Sequence, residues 1–173
     1  MSNKTLPPDY ASINKLCCRR QISFLISFYL YLPNRTDKVI HLWEKLFAIL
    51  NEIDDNVKLH AGLMCWIEAV PDIDEKIVEW VKFSIDNLKE PADYHFFDCL
   101  IKRFEEAPEL IGAIYEYLIS KSKETYSPKD KILLLVEGLY LKQFKELADR
   151  ICLSSMAKSD FYLKELYYKY NPD

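Results

Sequence analysis

Glycine is nearly missing from this chain: 3 occur in 173 residues, against the roughly 12 that an average usage of about 7% would give. Phosphate-cradling loops, dinucleotide-binding turns and tightly turned β-sandwiches need glycine where the backbone takes positive φ or approaches a ligand closely. All three are therefore disfavoured. Paired cysteine chemistry is lacking too. Cys17, Cys18, Cys65, Cys99 and Cys152 are odd in number and form no C-x-x-C pair, which supports neither a disulfide framework nor a zinc ribbon. They read as small buried apolar residues of a reducing, cytoplasmic compartment.

Catalytic spacings are equally scarce. His41, His60 and His95 have no glutamate three residues before them, so the Glu-x-x-His pair of di-iron bundles is absent. No His-Glu-x-x-His, Gly-x-Ser-x-Gly or Walker sequence occurs. Residues 22–32 (ISFLISFYLYL) form an apolar run, yet it is far short of the roughly 20 residues that span a bilayer. It lacks the small-residue cleavage site of a secretory signal, and the polar stripe of an interfacial anchor. No transmembrane segment is expected.

The net charge is -4, which disfavours nucleic acid as the main partner because phosphate binding needs a concentrated basic surface. Residues 1–33 carry four basic and one acidic side chain, and 71–107 carry five basic and ten acidic. An asymmetry of that size is usually a solvated face.

What is present is a repeat. Pro71, Pro91, Pro108 and Pro128 are spaced 20, 17 and 20 apart, so alternate prolines are offset by 37, and such an offset calls for a self-alignment. A shift of 37 superposes Ile40, Ile77, Ile114 and Ile151, then Trp43, Trp80 and Tyr117. In the second half of the unit it superposes Leu59, Phe96 and Leu133, then His60, Phe97 and Leu134, after an Asn56, Asp93, Asp130 column.

Each unit reads as two helices. Asp72 with Glu75 has capping-box spacing, and Ser127-Pro128 places a hydroxyl before a proline at the first helical position. Ile73, Ile77, Trp80 and Val81 share one helical face, as do Phe96, Leu100 and Phe104. Helices are predicted at about 10–32, 37–52, 56–70, 72–89, 92–105, 108–123, 128–141, 143–156 and 159–170. Gly62, Gly112 and Gly138 all fall inside these helices, where glycine costs about 1 kcal/mol against alanine, so they are expected at close contacts between helices.

The fold expected is a single all-α domain over 1–173. Residues 1–33 form an N-terminal capping helix, 34–144 three helical hairpins of about 37 residues, and 145–173 C-terminal capping helices, because stacked hairpins bury a core that none buries alone.

Such a right-handed stack resembles the HEAT-like α-solenoids over residues 34–144, with partial extension to 170. HEAT units carry a proline inside the first helix and Asp and Lys/Arg near the turn. Here the prolines stand at helix starts, while Asp93 and Asp130 recur. The tetratricopeptide pattern fits worse, with its period of 34 and a Trp-x-x-Leu-Gly that follows neither Trp43 nor Trp80. The Trp/Tyr-bearing helices with proline-started hairpins are also similar to helical-repeat sensor regions of large bacterial NTPase-type proteins, a similarity that transfers no functional residue.

No catalytic, cofactor-binding or metal-ligating residue is assigned. His60 and His41 read as helix-packing residues. The carboxylates Asp54, Asp55, Asp72, Asp74 and Glu75 fall at helix starts, where they cap amides and oppose the macrodipole. His95 and Cys99, four residues apart, share a helical face, but Cys99 falls in an apolar column and a catalytic dyad is not the expectation. Arg19, Arg20, Lys121, Lys123, Lys129 and Lys131 could form a basic edge. The aromatic segment of Phe161, Tyr162, Tyr167, Tyr168 and Tyr170 is the candidate contact surface, since tyrosine joins apolar area to a polar tip. The function expected is a non-enzymatic protein–protein interaction module without a cofactor, a scaffold, adaptor or sensor region whose partner is another protein, a larger solenoid or a second copy. The alternatives are a nucleic-acid-binding helical-repeat protein and an all-α enzyme with a carboxylate-bound metal at Asp72, Asp74 and Glu75.

Overall fold

A carboxylate starts the best-defined helix. Asp74, extended at φ -120° and ψ 177°, accepts the Ile77 N–H through Oδ1 at 2.9 Å, which satisfies one of the orphan amides of a helix N-terminus. The cap is thus Asp74 and not the predicted Asp72, and the helix runs Glu75–Asp86. In the computed structural model residues 36–50, 57–88, 94–121 and 128–172 are described. They are all-helical, with no strand among them.

The α-helices are α1 (Thr36–Leu50), α2 (Val57–Met64), α3 (Glu75–Asp86), α4 (Tyr94–Arg103), α5 (Pro108–Lys121), α6 (Lys129–Leu141), α7 (Lys145–Ala157) and α8 (Lys164–Tyr170), with a 3-10 turn at Cys65–Glu68 after α2. Pro108 is the first residue of α5, where its missing N–H costs nothing. Pro128 instead precedes α6 as its cap residue, at φ -65° and ψ 102°, one position earlier than predicted. Ser127 and the helix predicted over 10–32 lie outside the described residues.

Two helix ends recover a conformation that scarce glycine seemed to forbid. Gln143 and Ser159 take φ 68° and 62° just beyond α6 and α7. After α6, Phe144 N–H reaches Leu139 O at 2.9 Å and Gln143 N–H reaches Tyr140 O at 3.1 Å; after α7, Asp160 and Ser159 repeat the pattern onto Ser155 and Met156. This is the left-handed C-terminal motif usually closed by glycine.

Consecutive helices pack in pairs, α2 on α3 and α6 on α7 most extensively, and alternate helices pack along two rows. α3 packs on α5 and α5 on α7, while the 3-10 turn packs on α4, α4 on α6, and α6 on α8. α1 joins the first row through aromatic rings: Trp43 lies 5.3 Å from Trp80, and Phe47 4.5 Å from Phe83. Between the rows one continuous core contains Trp43, Trp66, Ile77, Leu100, Ile114, Tyr115, Ile132 and Ile151.

Burial corrects the register of the second helices. In the first helices Ile77, Ile114 and Ile151 are all buried, as are Val81, Leu118 and Ser155, a constant shift of 37. The second helices instead superpose at 36: His60, Phe96 and Ile132, then Leu63, Cys99 and Leu135, then Ile67, Arg103 and Leu139 are buried. Leu133 and Leu134, which the shift of 37 puts in the core, are 37% and 63% exposed. The interval from Ile77 to Phe96 is 19 residues and that from Ile114 to Ile132 is 18, so the connection between helices absorbs the lost residue.

Ion pairs follow the same rows. Lys76 pairs with Glu44, Lys121 with Asp86 and Arg150 with Glu116 along the first; Lys102 with Glu68, Lys131 with Asp98, Lys142 with Glu105 and Lys169 with Glu137 along the second. Among the described residues the cation of every such pair belongs to the later unit. Most of these side chains are half-exposed, a setting in which a pair contributes about 0–1 kcal/mol, so they fix register more than they stabilise.

Two of the three glycines, Gly112 and Gly138, sit at tight contacts. A Cβ on Gly138 would stand 2.5 Å from Cε1 of the Phe104 ring, and one on Gly112 2.7 Å from a Leu147 methyl.

Candidate functional site

The aromatic C-terminal segment divides into residues that pack and residues that face out. Leu163 and Leu166 are buried and anchor α8. The Tyr162 hydroxyl meets that of fully buried Tyr115 at 3.2 Å, and Tyr170 stacks on Tyr140 with centroids 4.2 Å apart and planes 6° from parallel. Asp149 holds the joint. Its Oδ1 accepts Tyr140 Oη at 2.7 Å and Asn171 Nδ2 at 2.8 Å, and its Oδ2 accepts Lys145 Nζ at 2.7 Å. Burial would raise the Asp149 carboxyl, but those three donors outweigh it and hold the group below its usual range. Tyr162 and Tyr170 therefore close the end of the core, with Tyr167 half-buried beside them. Phe161 and Tyr168 remain 60% and 52% exposed. α6 adds Leu134 and Leu141, 63% and 70% exposed and seven residues apart on one face.

The proposed basic edge is largely compensated. Lys121 Nζ lies 2.7 Å from Asp86, which also accepts the Tyr117 hydroxyl at 2.6 Å. Lys131 pairs with Asp98 and lies over the Tyr94 ring at 3.4 Å from its centroid. Lys129 stands 5.7 Å from the Tyr162 centroid. Arg19, Arg20 and Lys123 lie outside the described residues.

A third constellation joins residues from two units. Cys65 opens the 3-10 turn and Glu68 closes it; His95 and Cys99 share a face of α4, which packs on that turn. The sulfur atoms of Cys65 and Cys99 and a ring nitrogen of His95 all lie within 4.8 Å of one another. Among the described residues this is the one group of three or more such side chains able to hold a metal ion. Cys99 Sγ donates to Glu68 Oε2 at 3.3 Å, and Lys102 Nζ holds Glu68 Oε1 at 2.7 Å. The neighbouring Cys65 thiol, burial and Glu68 push the Cys99 thiol far above its ordinary range. That is the reverse of an activated nucleophile.

The sequence paired His95 with Cys99 and stopped there. Cys65 and Glu68 were missed: they stand three residues apart against four for His95 and Cys99, and 30 and 31 residues before them, which is no multiple of the repeat. Arg103 was missed as well. It is 7% exposed, and its guanidinium donates to the carbonyls of Ile67 (2.9 Å), Glu68 (3.3 Å), Val70 (2.6 Å) and Pro71 (3.2 Å), and to Glu106 Oε2. It closes the end of the 3-10 turn that carries Cys65.

The two other histidines part ways. His60 is fully buried, its Nδ1 3.3 Å from Ser84 Oγ, and burial pushes its imidazole below the usual range. His41 is not a packing residue: its side chain is 67% exposed and lies 4.0 Å from Glu44, on the face of α1 away from Val39, Trp43 and Leu46.

The chain matches no protein-family model, no curated protein and no solved structure. Among the described residues no helix is long and apolar enough to cross a membrane.

Proposed function

We propose that this chain is a non-enzymatic protein–protein interaction module, a right-handed HEAT-like α-solenoid acting in the cytoplasm as a scaffold, adaptor or sensor region. The reading rests on two rows, α3, α5 and α7 in one and the 3-10 turn, α4, α6 and α8 in the other, each member packed on the next. Repeated units of this kind expose an extended surface and bind by shape and apolar anchors. The contact surface is Phe161 and Tyr168 at the C-terminal end together with Leu134 and Leu141 on α6, four large apolar side chains that the core leaves outside. Isolated exposed apolar residues are ordinary; what favours a contact here is that two of them lie on one face of α6. The partner is another protein or a second copy of the chain.

Support for the other two readings is weaker. Acids already neutralise Lys121 and Lys131, so the edge offers phosphate little net charge. Asp74 is occupied as a helix cap.

Light scattering on the chain, with affinity capture alongside, tests the reading in three proteins: the parent, Leu134→Ser/Leu141→Ser, and Phe161→Ser/Tyr168→Ser. Self-association or specific capture that one of the double variants removes supports it. A strict monomer whose captured proteins are the same in all three sinks it.

A further inference from the structure

We infer that Cys65, His95 and Cys99, with Glu68 as fourth ligand, bind one thiophilic divalent cation, zinc by preference. Two thiols and an imidazole converge from two elements, with the Glu68 carboxylate against one of the thiols. Core cysteines behave as small apolar residues, whereas here Cys99 Sγ points at a carboxylate oxygen 3.3 Å away.

The dimensions fit. Tetrahedral zinc with Zn–S of about 2.3 Å and Zn–N of about 2.0 Å sets its ligand atoms roughly 3.5–3.8 Å apart. The three atoms already lie within 4.8 Å of one another, so closing on the ion needs movements of about 1 Å, within the reach of side-chain rotations. Glu68 Oε2 stands outside that group of three but meets Cys99 Sγ at 3.3 Å, and a rotation of its side chain would bring it in as the fourth ligand. The mix of sulfur, nitrogen and one oxygen selects zinc over magnesium or calcium, which prefer all-oxygen shells.

The charges fit as well. Two thiolates cancel a divalent cation, and the one remaining negative charge, on Glu68, faces the Lys102 ammonium at 2.7 Å. Cysteines hold zinc as thiolates, so binding releases their thiol protons. Four protein ligands leave no open position, which marks a structural rather than a catalytic site. The ion would clamp α4 to the 3-10 turn at the same joint that Arg103 closes. A Cys65–Cys99 disulfide is the competing outcome, and it leaves the approach of His95 without a reason.

Cobalt(II) reports the site directly. The full chain, reduced and freed of metal by chelation, is titrated with cobalt(II) and then with zinc(II). Expected is a saturable tetrahedral spectrum at one equivalent with a thiolate-to-cobalt charge-transfer band, bleached by zinc. Cys65→Ser and Cys99→Ser each weaken that band, and together they abolish it. His95→Ala, a change at an exposed position that leaves the core intact, weakens binding by at least about tenfold. Cys152→Ser, buried between α6 and α7, leaves binding unchanged. A reduced protein that gives no thiolate band, a band that survives in the Cys65→Ser/Cys99→Ser protein, or a Cys65–Cys99 disulfide that forms in metal-replete reductant overturns the assignment.

Discussion

Replacing Arg103 with methionine keeps the length and apolar stem of the side chain and removes every N–H donor. Four backbone carbonyls lose their partner, and two of them, Ile67 O and Val70 O, are held in fully buried bonds at 2.9 and 2.6 Å. A buried acceptor left unsatisfied costs about 1–3 kcal/mol, so those two set a loss of roughly 2–6 kcal/mol. The carbonyls of Glu68 and Pro71, in partly buried bonds, can turn to water and add little. Relief from desolvating the guanidinium, and the favourable burial of methionine, subtract from the total, because a buried cation itself carries a penalty. The net expectation is a destabilisation of about 3 kcal/mol, equivalent to roughly 6–12 °C in Tm for a chain of this size. Urea unfolding followed by tryptophan fluorescence is suited to it, since Trp66 lies in the capped 3-10 turn. Arg103→Lys, which keeps charge but cannot span four carbonyls, should lose about half as much. Glu106→Gln should lose under about 1 kcal/mol, because that partner is 56% exposed. A methionine variant within about 0.5 kcal/mol of the parent at unchanged m value would refute the reasoning, and would mean that water serves these carbonyls as well as Arg103 does.

Other expectations concern the glycines, the left-handed helix ends and the buried histidine. Gly138→Ala gains about 1 kcal/mol of helix propensity but drives a Cβ into the rigid Phe104 ring, a strain of about 1–3 kcal/mol. Thermal melts should show net destabilisation that Phe104→Leu partly relieves, whereas Gly112→Ala, facing rotatable leucine methyls, should stay near neutral. Gln143→Gly removes left-handed strain of about 1–2 kcal/mol at φ 68°, so Tm should rise, and a fall would show that the Gln143 side chain contributes more than its backbone costs. For His60, burial depresses the folded-state pKa, so the unfolded chain binds the proton more readily. Stability is then fully present above the unfolded value of about 6.5 and is lost as pH falls below it, by at most about 1.4 kcal/mol per pH unit. Unfolding free energies of the parent and of His60→Leu measured between pH 5 and 7 should diverge in slope, and parallel curves would contradict the assignment.

The helices were legible because their starts are written in single residues: a carboxylate before Glu75, a proline at position 108, an apolar stripe behind each. The face of α6 was not. Its sequence runs Ile132, Leu133, Leu134, Leu135, Val136, five apolar residues in succession, and such a run fits any register. Only the neighbouring helices decide that Leu134 faces out and Leu135 faces in. His41 was misplaced for a related reason, since its nearness in sequence to Trp43 says nothing about direction when two positions turn a side chain by about 200°. The thiol and imidazole cluster was half legible. His95 and Cys99 share a face by spacing alone, but their approach to Cys65 and Glu68 depends on how one unit sits on the next. Arg103 gave no sign, since a basic residue in the last turn of a helix ordinarily answers the macrodipole.

In all seven ion pairs that link neighbouring units within the described residues, the later unit supplies the cation and the earlier one the carboxylate. Each junction within the described residues is therefore head-to-tail: a unit offers carboxylates to the one that follows it and cations to the one before, so neighbours along the row meet with unlike charge.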